Sequence, residues 1–232
     1  MVHIARTDRR WRRRAFPLGA AALVAVLGVV GSPGYAVIGP GQTVSVTAAI
    51  TVHGTPAYSP DGDLLVTSAS VRPLDVSRAV QARFDGAVDI VVRRSAPDEG
   101  SRTQERAMAS SRADAVAAAL ELTGASLEVD IDPGEVVGPS GGLVFALGIV
   151  ELLGPEDLTA GRVIAGTGRI DAFGRVGTVY GVRYKVAAAE RAGADVFLVP
   201  HVQVEEARDA ARHVDVIGVR DLAHAVRVLR RG

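Results

Sequence analysis

The stretch Val136-Val137-Gly138-Pro139-Ser140-Gly141-Gly142-Leu143 decides how this chain is read. Ahead of it, Ser126-Leu127-Glu128-Val129-Asp130-Ile131-Asp132 alternates apolar and polar residues, the pattern of a half-buried strand, and Pro133-Gly134 marks a turn. Behind it, Leu143 to Leu153 is an apolar segment of helical length, ended by Gly154-Pro155. Ser140 thus stands at a helix mouth, between a proline and two glycines. Glycines let backbone N–H groups approach a ligand, and a helix N-terminus favours developing negative charge. Two readings stay open on these residues alone: a nucleophile, or a serine capping a helix after a turn.

Alternation of strand and helix patterns continues from there. Val163–Ile170 and Val176–Tyr180 read as strands, Val182–Ala192 as a helix and Val196–Val199 as a buried strand. Gln203–Arg212, Val214–Val219 and Asp221–Leu229 read as helix, strand and helix. This order predicts an α+β fold, an α/β sandwich. Upstream, Val44 to Val52 and Leu64 to Val71 read as two strands of a hairpin joined through Gly54–Gly62. Val76–Ile90 reads as helical or mixed, and Arg93–Arg102 as an exposed loop. Thr103–Leu122 is expected to be a helix with Met108, Ala115, Ala118, Ala119 and Leu122 on one face.

Residues 1–14 carry the cluster Arg9, Arg10, Arg12, Arg13 and Arg14, and Ala15 to Val30 is uncharged and mostly apolar. Positive charge ahead of an apolar run sets a cytoplasmic N-terminus. A retained signal anchor over 15–31 and a cleaved signal peptide both fit, and the anchor is the expectation adopted. Either one puts the remainder outside the cytoplasm, and the anchor would hold it on a cell membrane. Four regions follow: a basic tail (1–14), the anchor (15–31), a β-hairpin and helical segment packed on the main domain (42–124), and the main domain (125–232).

Composition removes several functions. Net charge is +0, so no basic bulk points to nucleic acid. There is no cysteine, which excludes disulfides, zinc–thiolate sites and a cysteine nucleophile. Lys and Arg total 26, and Lys185 is the single lysine, leaving 25 arginines. A Walker A loop needs Gly-Lys-Ser/Thr, whereas Lys185 stands in Arg183-Tyr184-Lys185-Val186, so no ATP-binding loop of that kind is encoded. His53, His201, His213 and His224 lack spacing for a triad or a metal, and neither metal nor cofactor is expected.

Arginine cannot shed its proton near neutral pH, whereas a buried lysine can. Val182, Ala188, Ala189 and Ala192 share the helix face of Lys185, which turns this one amine toward the core. A lysine snorkelling at the helix edge is the competing account. A neutral amine beside a serine hydroxyl can act as a general base.

Three motifs carry a resemblance. They are Gly138-Pro139-Ser140-Gly141-Gly142; Ala165-Gly166-Thr167-Gly168-Arg169-Ile170-Asp171 with Gly174-Arg175-Val176; and Gly181 to Gly193 around Lys185, followed by Val196 to Pro200. From about Ser126 to Glu206 the chain resembles the proteolytic domain of Lon-type proteases, above all the membrane-anchored branch that lacks the ATPase and usually carries a PDZ domain. The resemblance implies Ser140 as nucleophile, Lys185 as general base and acid, and Thr167 orienting the amine. It places the oxyanion on backbone N–H groups from Gly138 to Gly141. It implies ATP-independent cleavage of polypeptides through an acyl-enzyme, and a ring-shaped homo-oligomer, a hexamer. Position 141 is usually alanine in the family, Tyr180 replaces the first of two glycines, Arg169 stands where an acid is common, and His201 where asparagine is. Only Thr123–Val137 separates the long helix from the serine, too short for a PDZ domain. A Lon fold without turnover, serving as a scaffold at the membrane, is the alternative.

Overall fold

Strands that read as unbroken apolar runs must be covered on both faces, and here they build the centre of a sheet. The structure, a computed structural model, describes residues 35–92, 99–132, 134 and 138–231. The basic tail and the anchor expected over 1–31 lie outside them. Among the described residues no helix is long and apolar enough to cross a membrane. The chain divides into two units, one formed by the residues up to 37 with 71–95, the other by 38–70 with 96–232.

The smaller unit holds the start of strand β1 (Tyr35–Ser45), the end of β3 (Asp63–Pro73), helix α1 (Val76–Phe84) and β4 (Asp89–Val92). Asp75 caps α1, its carboxylate accepting from the Arg78 amide at 2.8 Å. Val37, Leu74 and Val88 form its small core.

In the larger unit β10 (Asp215–Val219), β9 (Val196–Pro200), β6 (Val163–Gly166), β3 and β1 lie side by side in that order. The pairs β10–β9, β9–β6 and β6–β3 are parallel. Against β3, β1 runs antiparallel: contacts pass from Val46–Leu64 to Gln42–Ser68 to Gly39–Ser70. The sheet is therefore mixed, and with six α-helices among the described residues the fold is α+β.

Alternation along each strand sorts the helices into two layers. Leu64, Val66, Ile164, Val196 and Leu198 face one way, onto α2 (Glu99–Thr123), α3 (Gly142–Leu153) and α6 (Leu222–Leu229). Leu65, Ala165, Phe197 and Val199 face the other, onto α4 (Val182–Arg191) and α5 (Val204–Ala210). α3 is apolar around its circumference because it is buried nearly end to end. Its one charged residue, Glu151, is 1% exposed and accepts from the Leu158 amide at 2.9 Å. Burial pushes the Glu151 carboxyl up to about 7.

Several expected elements are shorter or broken. The strand read across Val44–Val52 is cut by a 3-10 turn at Thr47–Ala49, and its last part, β2 (Ile50–Val52), pairs with β5 (Val129–Ile131) instead of β3. The run Ser126–Asp132 is therefore a strand over only three residues, since β2 offers no more partners. Val163–Ile170 leaves the sheet after Gly166, because Thr167 and Gly168 bond to the serine turn, and resumes as β7 (Arg169–Ile170) beside β8 (Val176–Gly177). α2 begins at Glu99, inside the expected loop, and Leu122 on it is 41% exposed, not buried.

Candidate active site

Parallel strands end on one edge, and the residues just past their ends are where loops can present chemistry. Val66 of β3 and Gly166 of β6 form the last pair between these strands; β6 ends there, with Thr167 just past it, while β3 runs on through Thr67. Ser140 and Lys185 meet there, from opposite layers of the sandwich.

Ser140 lies in a 3-10 turn, Pro139–Gly141, that runs directly into α3. Pro139 presets the helical φ at the first position of the turn. The Ser140 carbonyl accepts from the Gly168 amide at 2.7 Å and from the Thr167 hydroxyl at 3.1 Å. Leu143 donates its amide to the Gly168 carbonyl at 3.1 Å. On the other side the Ser111 hydroxyl of α2 donates to the Pro139 carbonyl at 2.9 Å. Gly142 has no room for a side chain: a Cβ would sit 2.8 Å from the Ser111 hydroxyl and 2.9 Å from Ile170. The tight motif follows from that packing.

Lys185 is on α4 among Val182, Val186, Ala188 and Ala189, all buried, and is itself 3% exposed. Its Nζ lies 2.7 Å from Ser140 Oγ and donates to the Thr67 carbonyl at 3.1 Å. Burial pulls the amine down to about 8 from the usual 10.5. The start of α4 needs the left-handed backbone that Gly181 supplies, with φ at +70°. Of the glycine pair common in the family this chain keeps the one the backbone requires, and Tyr180 in place of the other is exposed.

Two expected roles look different in the structure. The Thr167 hydroxyl donates to the Ser140 carbonyl, so it holds the serine's backbone where orientation of the amine was expected. The second partner of the amine is the Thr67 carbonyl. A backbone acceptor leaves no signal in residue type, which is why Thr67 escaped the sequence reading. Of the amides expected to face an oxyanion, that of Gly141 closes the turn onto the Gly138 carbonyl at 3.2 Å. A Cβ on Gly138 would meet nothing within 4 Å, so that glycine leaves open space beside the turn.

The remaining candidates are elsewhere. His53 pairs with Asp130 at 3.1 Å, and His224 accepts from the Arg220 amide at 3.4 Å. Among the described residues no group of three His, Asp or Glu side chains is placed to hold a metal ion.

A serine on a helix mouth beside a buried amine, in an α+β sandwich, is an arrangement for hydrolysis. The family model of the Lon protease (S16) C-terminal proteolytic domain matches residues 85–226, more than half of the chain. The chain belongs to this family. It is a serine protease, a peptide hydrolase whose substrates are polypeptides.

Proposed function

We propose that this chain is an ATP-independent endopeptidase working through a Ser140–Lys185 dyad. The reading is carried by one observation: a lysine amine 3% exposed, 2.7 Å from a serine hydroxyl. The neutral amine takes the proton from Ser140 Oγ as that oxygen bonds to the substrate carbonyl carbon. The lysine then gives the proton to the leaving amine nitrogen as the peptide C–N bond breaks, and an acyl-enzyme on Ser140 results. Water, deprotonated by the same amine, cleaves the ester.

The oxyanion falls to backbone amides of Gly138–Gly141 and the positive end of α3. For Gly141 to contribute, its amide has to leave the 3.2 Å turn bond to Gly138. Thr167 acts by fixing Ser140. ATP independence rests on the chain's having no Gly-Lys-Ser/Thr loop, its one lysine being Lys185. In the same reading, 15–31 anchors the chain in a cell membrane, with the protease outside the cytoplasm. Six copies form a ring.

Purified protein should cleave an unfolded polypeptide at equal rates with and without ATP, and Ser140→Ala should stop it. A wild type that neither cleaves nor reacts with a serine-directed probe would favour the scaffold alternative.

A further inference from the structure

In the smaller unit, α1 (Val76–Phe84) leaves its large apolar residues in solvent. It packs its small residues, Ala79 and Ala82, both partly buried, against Val37, Leu74 and Val88. Its large apolar residues point outward: Val76 is 51% exposed, Val80 54% and Phe84 83%. Spaced four apart, these three form one stripe along the helix. Arg83 borders it on one side, its guanidinium 6.0 Å from the Phe84 ring centre. Ser77 and Gln81, both exposed, border it on the other. Facing water, such a stripe only costs free energy. A helix lying in the plane of a membrane interface has this pattern, with arginine at the margin reaching back to the headgroups.

The chain ahead of the unit indicates what covers the stripe. The uncharged run Ala15–Val30 follows five clustered arginines and ends five residues before Tyr35. Tyr35 packs on the same Val37–Leu74–Val88 cluster that holds α1. Five residues extend at most about 18 Å. A bilayer that holds the run is therefore within reach of this small unit.

We propose that α1 docks into the headgroup–acyl boundary of that bilayer, burying Val76, Val80 and Phe84. This rests on the anchor part of the proposed function, not on its proteolytic part. The chain has no cysteine, so single-cysteine variants can carry a fluorophore. The full chain with Val80→Cys, or with Asp209→Cys at an exposed position of α5, is labelled with a polarity-sensitive dye. It is then reconstituted in phosphatidylcholine–phosphatidylglycerol vesicles.

The protein should float with the vesicles. Lipids spin-labelled on the acyl chain should quench the label at 80 by about half and leave that at 209 bright. If the protein floats and the label at 80 stays in water, docking is refuted while the anchor stands. If the label at 80 is shielded but unquenched by spin-labelled lipid, a second copy covers the stripe and the proposal fails. If the protein does not float, the anchor itself is wrong and docking falls with it.

Discussion

Reaction at Ser140 should follow the charge on Lys185, and the structure sets where. Burial lowers the Lys185 amine from 10.5 to about 8, a difference worth roughly 3 kcal/mol between its two protonation states. With that value about a tenth of the amine is neutral at pH 7 and about nine tenths at pH 9. The rate of Ser140 acylation by a fluorophosphonate, read by intact mass, should climb about tenfold between those two pH values. It should level off above pH 9. A slow-reacting probe in excess keeps the chemical step limiting. Lys185→Arg keeps a cation in place but removes the neutral base, and should lower acylation by at least about a hundredfold. The sign for stability runs with the same group. A depressed folded value means the penalty is absent above pH 10.5, grows as pH falls from there toward 8 and is complete below 8. A flat profile from pH 6 to 10, or an inflection near 6.5 as for a histidine base, would refute the assignment. Full activity in Lys185→Arg would do the same.

Thr167→Val removes the hydroxyl bond to the Ser140 carbonyl while the Gly168 amide bond remains. It should cost about 1 kcal/mol in denaturant unfolding and slow acylation with the inflection still near 8. A moved inflection would mean that the hydroxyl acts on the amine. Gly142→Ala forces a methyl to within 2.9 Å of Ile170 and should lose both stability and acylation rate, whereas Tyr180→Gly, at an exposed position, should change neither. Glu151→Gln keeps an acceptor for the Leu158 amide and removes a carboxyl raised from 4.5 to about 7. The neutral acid is the favoured folded form, so this group's contribution is present below pH 4.5 and lost as pH rises through 7. The variant should therefore be more stable than wild type by about 1–3 kcal/mol at pH 8 and equal to it near pH 4 in thermal melts.

Elements that bury one continuous face were legible in the sequence. The apolar runs at Val163 and Val196 became central parallel strands, and Val182, Ala188 and Ala189 on the lysine face of α4 were buried as their spacing indicated, while Ala192, past the helix end, is exposed. Edges were not legible, because a strand ends where its partner ends. Val129–Ile131 is short on account of β2, and β6 stops at Gly166 because Thr167 and Gly168 serve Ser140. Which face of α1 is covered was not legible for a related reason. Its burial is set by the shallow cluster of Val37, Leu74 and Val88, which accepts Ala79 and Ala82 and leaves Val80 and Phe84 outside.

The candidate site divides along the same line. Side-chain chemistry could be read: one lysine among 26 basic residues, on an apolar helix face, with a glycine-flanked serine upstream. What holds the pair together is mostly backbone, namely the carbonyls of Thr67 and Ser140 and the amide of Gly168. Those groups belong to every residue and leave no signature. They also bear on why an amine can sit here at all. A buried ammonium needs acceptors, and a carboxylate acceptor would hold the proton on it. The neutral Thr67 carbonyl at 3.1 Å satisfies one N–H without adding a charge, so burial alone governs the shift toward the neutral amine. Arginine in its place would stay charged whatever surrounded it. In a chain that otherwise uses arginine for positive charge, that difference gives a physical reason for its one lysine to be the residue 2.7 Å from Ser140.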